Sequence, residues 1–317
     1  MGSDVEHDLK RGYKTKPGNV SVYRQIRPPM QVGVALAIVL FRSAGSTYDG
    51  GMIWARSFIV LSSIACAAAQ GPPSQSPQEV VFPSGSLQLH GFLWKPDGAG
   101  PFAAIVWNHG SERVPGSQPE LAKFYINHAD VFFVPHRRGQ GRSPGPYIQD
   151  LVQQAPLFQR GRRMMELQDE EVADVLAALR FLRSQNFVDG ARIAISGCSY
   201  GGIQTLLAGE RGLAVKALVP FAPGAMAWDR NDAVGDRLSD AVAREKAPVF
   251  LLQAKNDYSL GPSHVLSKVA LKKGADFQSK IYPAFGRTTQ DGHWGFCTTG
   301  MDVWGNDVLA FLAARMK

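Results

Sequence analysis

Residues 192–202 read Arg192-Ile193-Ala194-Ile195-Ser196-Gly197-Cys198-Ser199-Tyr200-Gly201-Gly202. An apolar run, short and β-branched enough for a buried strand, stops at a glycine, and a glycine-started helical segment, Gly202 to Gly209, follows. Between them Gly197-x-Ser199-x-Gly201 fits the strand-to-helix turn in which glycines permit a bend tight enough to lift a serine hydroxyl out of a sheet. The chain holds a second match, Gly141-Arg142-Ser143-Pro144-Gly145. There the residue after the serine is proline, which has no N–H to offer a developing oxyanion, so Ser143 is excluded and Ser199 is the candidate nucleophile.

Outward from this turn, near-continuous apolar runs recur at Phe102–Trp107, Val131–Val134, Ala217–Val219, Val249–Leu252 and Lys280–Tyr282. Such runs suit strands covered on both faces of a parallel sheet. Val80–Pro83 and Leu87–Trp94 read instead as an opening antiparallel pair, because the second alternates apolar and polar residues. Helical patterns lie between them, at Pro119–His128, Glu166–Gln185, Asp232–Arg244, Pro262–Lys273 and Asp302–Arg315. Leu167, Val172, Val175, Leu176, Leu179 and Leu182 make the second the clearest amphipathic helix of the chain. Regular alternation of this kind predicts one α/β domain over 79–317, a mostly parallel, doubly wound sheet with helices on both faces.

In such a fold the partners of the serine follow it in the order acid, histidine. His264 falls inside a predicted helix, whereas His293 lies in the glycine-rich segment Asp291-Gly292-His293-Trp294-Gly295 between the last strand and the last helix, which makes it the candidate base. Asp257 follows the Val249–Gln253 run, at the carboxyl end of a strand where open sheets place their sites. Asp276 precedes its strand, and Asp291 is too near His293 to reach around its ring, so Asp257 is the candidate acid. Two backbone donors complete the set: Tyr200 N–H and, from the loop Asn108-His109-Gly110-Ser111, Ser111 N–H, with Gly110 next. His109 before a glycine reads as a brace for that loop.

Composition narrows the classes. With 45% apolar and 19% charged residues the chain can bury a full core. Of the net +7, residues 1–69 supply +4, from eight Lys and Arg against four Asp and Glu. No basic run interleaved with aromatics follows, so a nucleic-acid partner is not expected. The apolar runs Val32–Phe41 and Phe58–Ala69 are too short for a stable membrane span. Cys66, Cys198 and Cys297 form no CxxC pair and no HExxH occurs, so a metal is not implied.

Met52–Arg56, the apolar Ser57–Cys66 and Ala67-Ala68-Ala69-Gln70 have the layout of a secretory signal cleaved near Ala69. The expected organisation is therefore an upstream extension over 1–51, a signal-like segment over 52–69 and a Pro/Ser/Gln-rich linker over 70–78, giving an exported catalytic domain. A genuine N-terminal extension is the alternative.

Asn108-His109-Gly110, Arg138-Gly139-Gln140-Gly141-Arg142-Ser143, the serine turn with its extra Gly202, Asn256-Asp257 and Asp291-Gly292-His293 together resemble the α/β-hydrolase superfamily. Within it the likeness is to the dienelactone hydrolase-like group that shades into prolyl oligopeptidase-type catalytic domains. Dienelactone hydrolases carry cysteine at the nucleophile position, where this chain has Ser199. The resemblance thus implies a cofactor-free serine carboxylesterase acting on small to medium esters, with a serine peptidase and a non-catalytic binding module as the rival readings. The stretch between Gly145 and Met165 is too short for a large cap, so an open site is expected. Arg138, beside Arg137, either clamps a substrate carboxylate or pins its own loop; Trp228, Trp294 and Phe296 either line the substrate pocket or pack the core. In tannases and some feruloyl esterases a disulfide ties the nucleophile turn to the histidine segment, and by that resemblance Cys198 and Cys297 are candidates for a bridge, though the spacing here differs.

Overall fold

The computed structural model describes residues 76–212 and 214–317. The extension and signal-like segment expected over 1–69, and most of the linker, lie outside these residues. Their strands form one eight-stranded sheet in the order β1-β2-β4-β3-β5-β6-β7-β8. The strands are β1 (Gln78–Ser84), β2 (Leu87–Trp94), β3 (Phe102–Asn108), β4 (Asp130–Pro135), β5 (Val188–Cys198), β6 (Ala217–Phe221), β7 (Val249–Ala254) and β8 (Phe277–Tyr282). β1 and β2 pair antiparallel, β2 joins β4 antiparallel, and from β4 onward every neighbour is parallel. The mostly parallel, doubly wound sheet predicted from the alternation is the one observed.

Helices α1 (Pro119–Ile126), α2 (Ile148–Gln154), α3 (Arg160–Arg183), α4 (Tyr200–Glu210), α5 (Asp232–Arg244), α6 (Gly261–Lys273), α7 (Phe296–Thr299) and α8 (Met301–Arg315) complete the fold. Because successive strand residues point to opposite faces, each central strand feeds two cores. Ala104 and Val106 of β3 join Ile193, Ile195, Leu218 and Leu251 beneath α3 to α6, whereas Ile105 and Trp107 join Phe132, Val219, Phe221 and Leu252 beneath α1 and α8. This double burial explains the unbroken apolar runs of the central strands, whereas β8, at the sheet edge, is mostly exposed and not covered on both faces as the Lys280–Tyr282 run suggested.

Three pieces escaped sequence reading, the short α7 among them. α2 has buried Ile148 and Val152 but no wider apolar period, and α3 begins six residues before the amphipathic pattern. Its opening turn, Arg160-Gly161-Arg162-Arg163, has no apolar stripe; exposed pairs of Arg162 and Arg163 with Glu166 line it instead.

Candidate active site

The serine turn is assembled from backbone contacts that only glycine allows. Gly201 lies so close to β3 that a Cβ there would sit 1.8 Å from the Asn108 carbonyl oxygen, and one on Gly197 would meet the carbonyls of Gly201 and Asn108 at 2.5 and 2.6 Å. Ser199, between them, has φ 57° and ψ −114°, a conformation L-residues adopt only when the surroundings enforce it. Its N–H donates to Phe221 O at 2.9 Å, and its carbonyl accepts from Ile203 N in α4 at 3.1 Å. Tyr200 opens α4, where N–H groups have no intrahelical partner.

β7 delivers the acid. Asp257 Oδ1 accepts from His293 Nδ1 at 2.7 Å, with the carboxylate fully buried and the imidazole 2% exposed. The same oxygen accepts from Tyr258 N at 2.7 Å, and Oδ2 accepts from Gln253 Nε2 at 2.8 Å. Gln253 is itself locked, since its Oε1 accepts from both the backbone and the hydroxyl of Ser263. It is a supporting residue that sequence reading missed, because a glutamine ending a strand looks like an ordinary polar flank.

His293 does not lie in a loop as expected. It sits in a π-helical turn, Asp291–Gly295, that runs straight into α7. Asn256 staples this turn, donating to Phe285 O and Thr288 O and accepting from Phe285 N. The Tyr258 ring meets the imidazole edge-on at 5.2 Å between centroids. With Nδ1 engaged by Asp257, Nε2 is buried and has no hydrogen-bond partner among the described residues. Ser199 and His293 line one cavity of about 470 Å³, together with Gly110, Ser111, Glu112, Met226 and Trp294.

The rejected candidates are occupied elsewhere. Ser143 is buried, donating to His136 O and accepting from His90 N. Asp276 pairs with Arg315, Asp291 accepts from the backbone of Arg287 and Thr288, and His264 is exposed on α6. His109 braces its loop: burial, then the charge of Arg137, hold its ring well below the usual imidazole range, so it stays neutral.

Of the residues offered for substrate contact, Trp294 lines the cavity but Arg138, Trp228 and Phe296 do not. Arg138 donates through Nε and Nη2 to both carboxylate oxygens of Asp174 and pins its own loop to α3. Trp228 covers Gly261 at the start of α6 and Gly235 in α5, outside the cavity lining. Phe296 is wholly buried against Phe221, Tyr282 and Phe285. Glu112, not singled out from sequence, is the one carboxylate in the lining; burial raises its pKa above the ordinary carboxylate value.

Cys198 and Cys297 are bonded, with Cα atoms 6.0 Å apart across 99 residues of chain. Both are fully buried. The bridge joins the residue before Ser199 to the helix that follows His293. No group of three or more potential metal ligands, and no helix long and apolar enough to cross a membrane, occurs among the described residues.

Comparison with known proteins agrees with this architecture. Residues 159–234, which contain the serine turn, match the Prolyl oligopeptidase family. No curated protein matches the chain. Among solved structures, the Pyrococcus horikoshii acylaminoacyl peptidase superposes with a TM-score of 0.58 at 20% identity over 77% of this chain and 42% of its own. A Pyrococcus furiosus esterase gives 0.58 at 14% identity, over 77% of this chain and 92% of its own. A Mycobacterium tuberculosis puromycin-hydrolyzing peptidase gives 0.57 at 18%, over 78% and 41%. The chain therefore spans less than half the length of these peptidases but most of the esterase. The fold is that of the α/β-hydrolases.

Proposed function

We propose that this chain is a serine hydrolase that cleaves small to medium carboxylic esters through an acyl-enzyme on Ser199. The observation that carries the reading is the His293 imidazole, held at Nδ1 by buried Asp257 with Nε2 left unpartnered, in a residue that lines the same cavity as Ser199. In the reaction Ser199 Oγ attacks the ester carbonyl as His293 Nε2 takes its proton. The negative charge gathers on the carbonyl oxygen, where the N–H groups of Tyr200 and Ser111 receive it. His293 then returns the proton to the departing alkoxide. Water repeats the sequence on the acyl-enzyme, and Asp257 keeps the ring in the Nδ1–H tautomer throughout.

A cavity of about 470 Å³ fits an ester of modest size. The Cys198–Cys297 bond favours an oxidising compartment, in keeping with export after cleavage near Ala69.

The test is hydrolysis of p-nitrophenyl esters from acetate to decanoate by wild type and Ser199→Ala, with a fluorophosphonate label located by peptide mapping. Label on Ser199, and a variant reduced to within about 10³–10⁴-fold of the uncatalysed rate, is the expected result. An unlabelled Ser199 with undiminished turnover in the variant overturns the assignment. The match of residues 159–234 and the peptidase neighbours favour a second reading, peptide-bond hydrolysis. Faster turnover of aminoacyl-nitroanilides than of esters would select it. A fold retained only for binding predicts neither label nor turnover.

A further inference from the structure

Beneath the cavity floor lies an ion pair that the chemistry above does not use. Arg137, 1% exposed, places its guanidinium within 3.3 Å of Glu171 on α3, itself 4% exposed. Taking two charges out of water costs several kcal/mol per ion, and apolar residues of similar size commonly replace such a pair without loss of stability. Stability alone therefore gives no reason for the pair. Its contacts do.

Arg137 Nη2 donates to Gly110 O at 2.7 Å and to His109 O at 3.0 Å. A peptide unit is planar, with its C=O and the following N–H pointing in opposite directions. Holding the Gly110 carbonyl from below therefore turns the Ser111 N–H away from Arg137, and holding the His109 carbonyl does the same for Gly110 N–H. Gly110 and Ser111 both line the cavity that Ser199 lines. On the other side, Glu171 Oε2 accepts from the Tyr200 hydroxyl at 2.6 Å, and the Arg137 guanidinium lies over the Tyr200 ring at 4.5 Å. Burial and the neighbouring carboxylate raise the Tyr200 hydroxyl pKa well above its usual value, so it keeps its proton and donates. Tyr200 is the first residue of α4 and supplies the other backbone donor of the serine turn.

We propose that Arg137 and Glu171 are positioning residues that hold the two halves of the oxyanion site in register, Arg137 through the carbonyls of His109 and Gly110, Glu171 through the Tyr200 side chain. The inference rests on the serine-hydrolase reading. It requires a planar fork able to serve carbonyls and a carboxylate at once, which arginine has and lysine lacks. It also separates two roles that neighbouring arginines could share: Arg138 binds Asp174 and fixes a loop, and Arg137 aims backbone donors.

The experiment compares wild type with Arg137→Met/Glu171→Leu, which removes both charges together, and with Tyr200→Phe, which cuts only the hydroxyl link. Melting temperature, kcat and KM on p-nitrophenyl acetate, and affinity for a trifluoromethyl ketone, which presents a tetrahedral oxyanion once Ser199 adds to it, are measured for each. The double variant should fold, lose about 10²-fold in kcat, bind the ketone about 10²-fold more weakly, and keep KM within threefold. Tyr200→Phe should lose about tenfold in kcat and in ketone affinity together. A folded double variant with kcat within threefold of wild type overturns the proposal, as does a loss confined to KM. Should the double variant fail to fold, Tyr200→Phe decides: unchanged kcat and ketone affinity overturn the proposal, and their parallel fall supports it. Each of these outcomes leaves wild-type labelling at Ser199 intact, whereas failure of the serine-hydrolase reading removes that label.

Discussion

Replacing both Cys198 and Cys297 by alanine should destabilise the domain far more than the loss of two small buried side chains. The bond closes a loop of 99 residues, and the chain-entropy relation for a loop of that length gives about 4.7 kcal/mol at 25 °C. Against a total of about 5–15 kcal/mol for a typical domain, that is between about three-tenths and nearly all of the whole. For a domain of this size it corresponds to a fall in Tm on the order of 10–15 °C. The assay is urea unfolding followed by tryptophan fluorescence, without reductant, on wild type and the double variant. Two signatures should appear together: a lower midpoint, and a larger m-value because the unfolded variant is no longer cross-linked and exposes more surface. The bridge also connects Ser199's neighbour to the helix after His293, so kcat should fall even where the variant remains folded. Equal midpoints and m-values, with maleimide labelling both cysteines of denatured, unreduced wild type, would refute the reasoning at its root. Equal m-values with a lowered midpoint would leave the bond in place and assign its effect to native packing.

Other expectations follow from individual contacts. Asp257→Asn leaves the shape of the site but favours the wrong tautomer of His293, so kcat on p-nitrophenyl acetate should fall about 10⁴-fold with little change in Tm. Burial and the nearby Glu210 raise Glu245 to about 7, with its backbone bonds to Lys246 and Ala247 acting the other way. A carboxylate whose folded pKa is raised contributes stability below its unfolded value of 4.5 that is lost as pH rises through 7, at about 1.4 kcal/mol for each tenfold difference in proton affinity between the folded and unfolded chain. Glu245→Gln should therefore match wild type near pH 4 and exceed it by roughly 3 kcal/mol at pH 8 in urea unfolding. An advantage independent of pH would contradict this. Glu112 is the one carboxylate in the cavity lining, and because burial raises its pKa, the negative charge it places there develops as pH rises. Acetylcholine should thus show a higher kcat/KM than its neutral isostere 3,3-dimethylbutyl acetate, and Glu112→Gln should remove the difference, which salt should also weaken.

What could be read from sequence was whatever steric necessity or chain order dictates. Gly197 and Gly201 are visible because any side chain would collide with the backbone, and Pro144 disqualifies Ser143 by simple absence of a donor. Asp257 and His293 follow from their places after the serine. The π-helical turn around His293 was not legible, because the Asn256 side chain that organises it lies some 35 residues away in the chain. The roles of Arg137 and Arg138 were equally hidden: adjacent and chemically identical, they differ only in which carbonyls and carboxylates the folded chain brings to each. The cysteine pairing depended on a separation of Cα atoms that no spacing rule supplies. Gln253 and Glu112 are ordinary residues by type, distinguished only by burial beside the site.

The contact between Gly201 and the Asn108 carbonyl has a consequence for how such a protein can diverge. At this contact the segments carrying Ser199 and Asn108 touch main chain to main chain. Met226, Gln290 and Trp294 in the cavity wall take no part in that contact. On the serine-hydrolase reading, wall residues govern substrate range and the serine turn governs bond breaking, so the two can change separately.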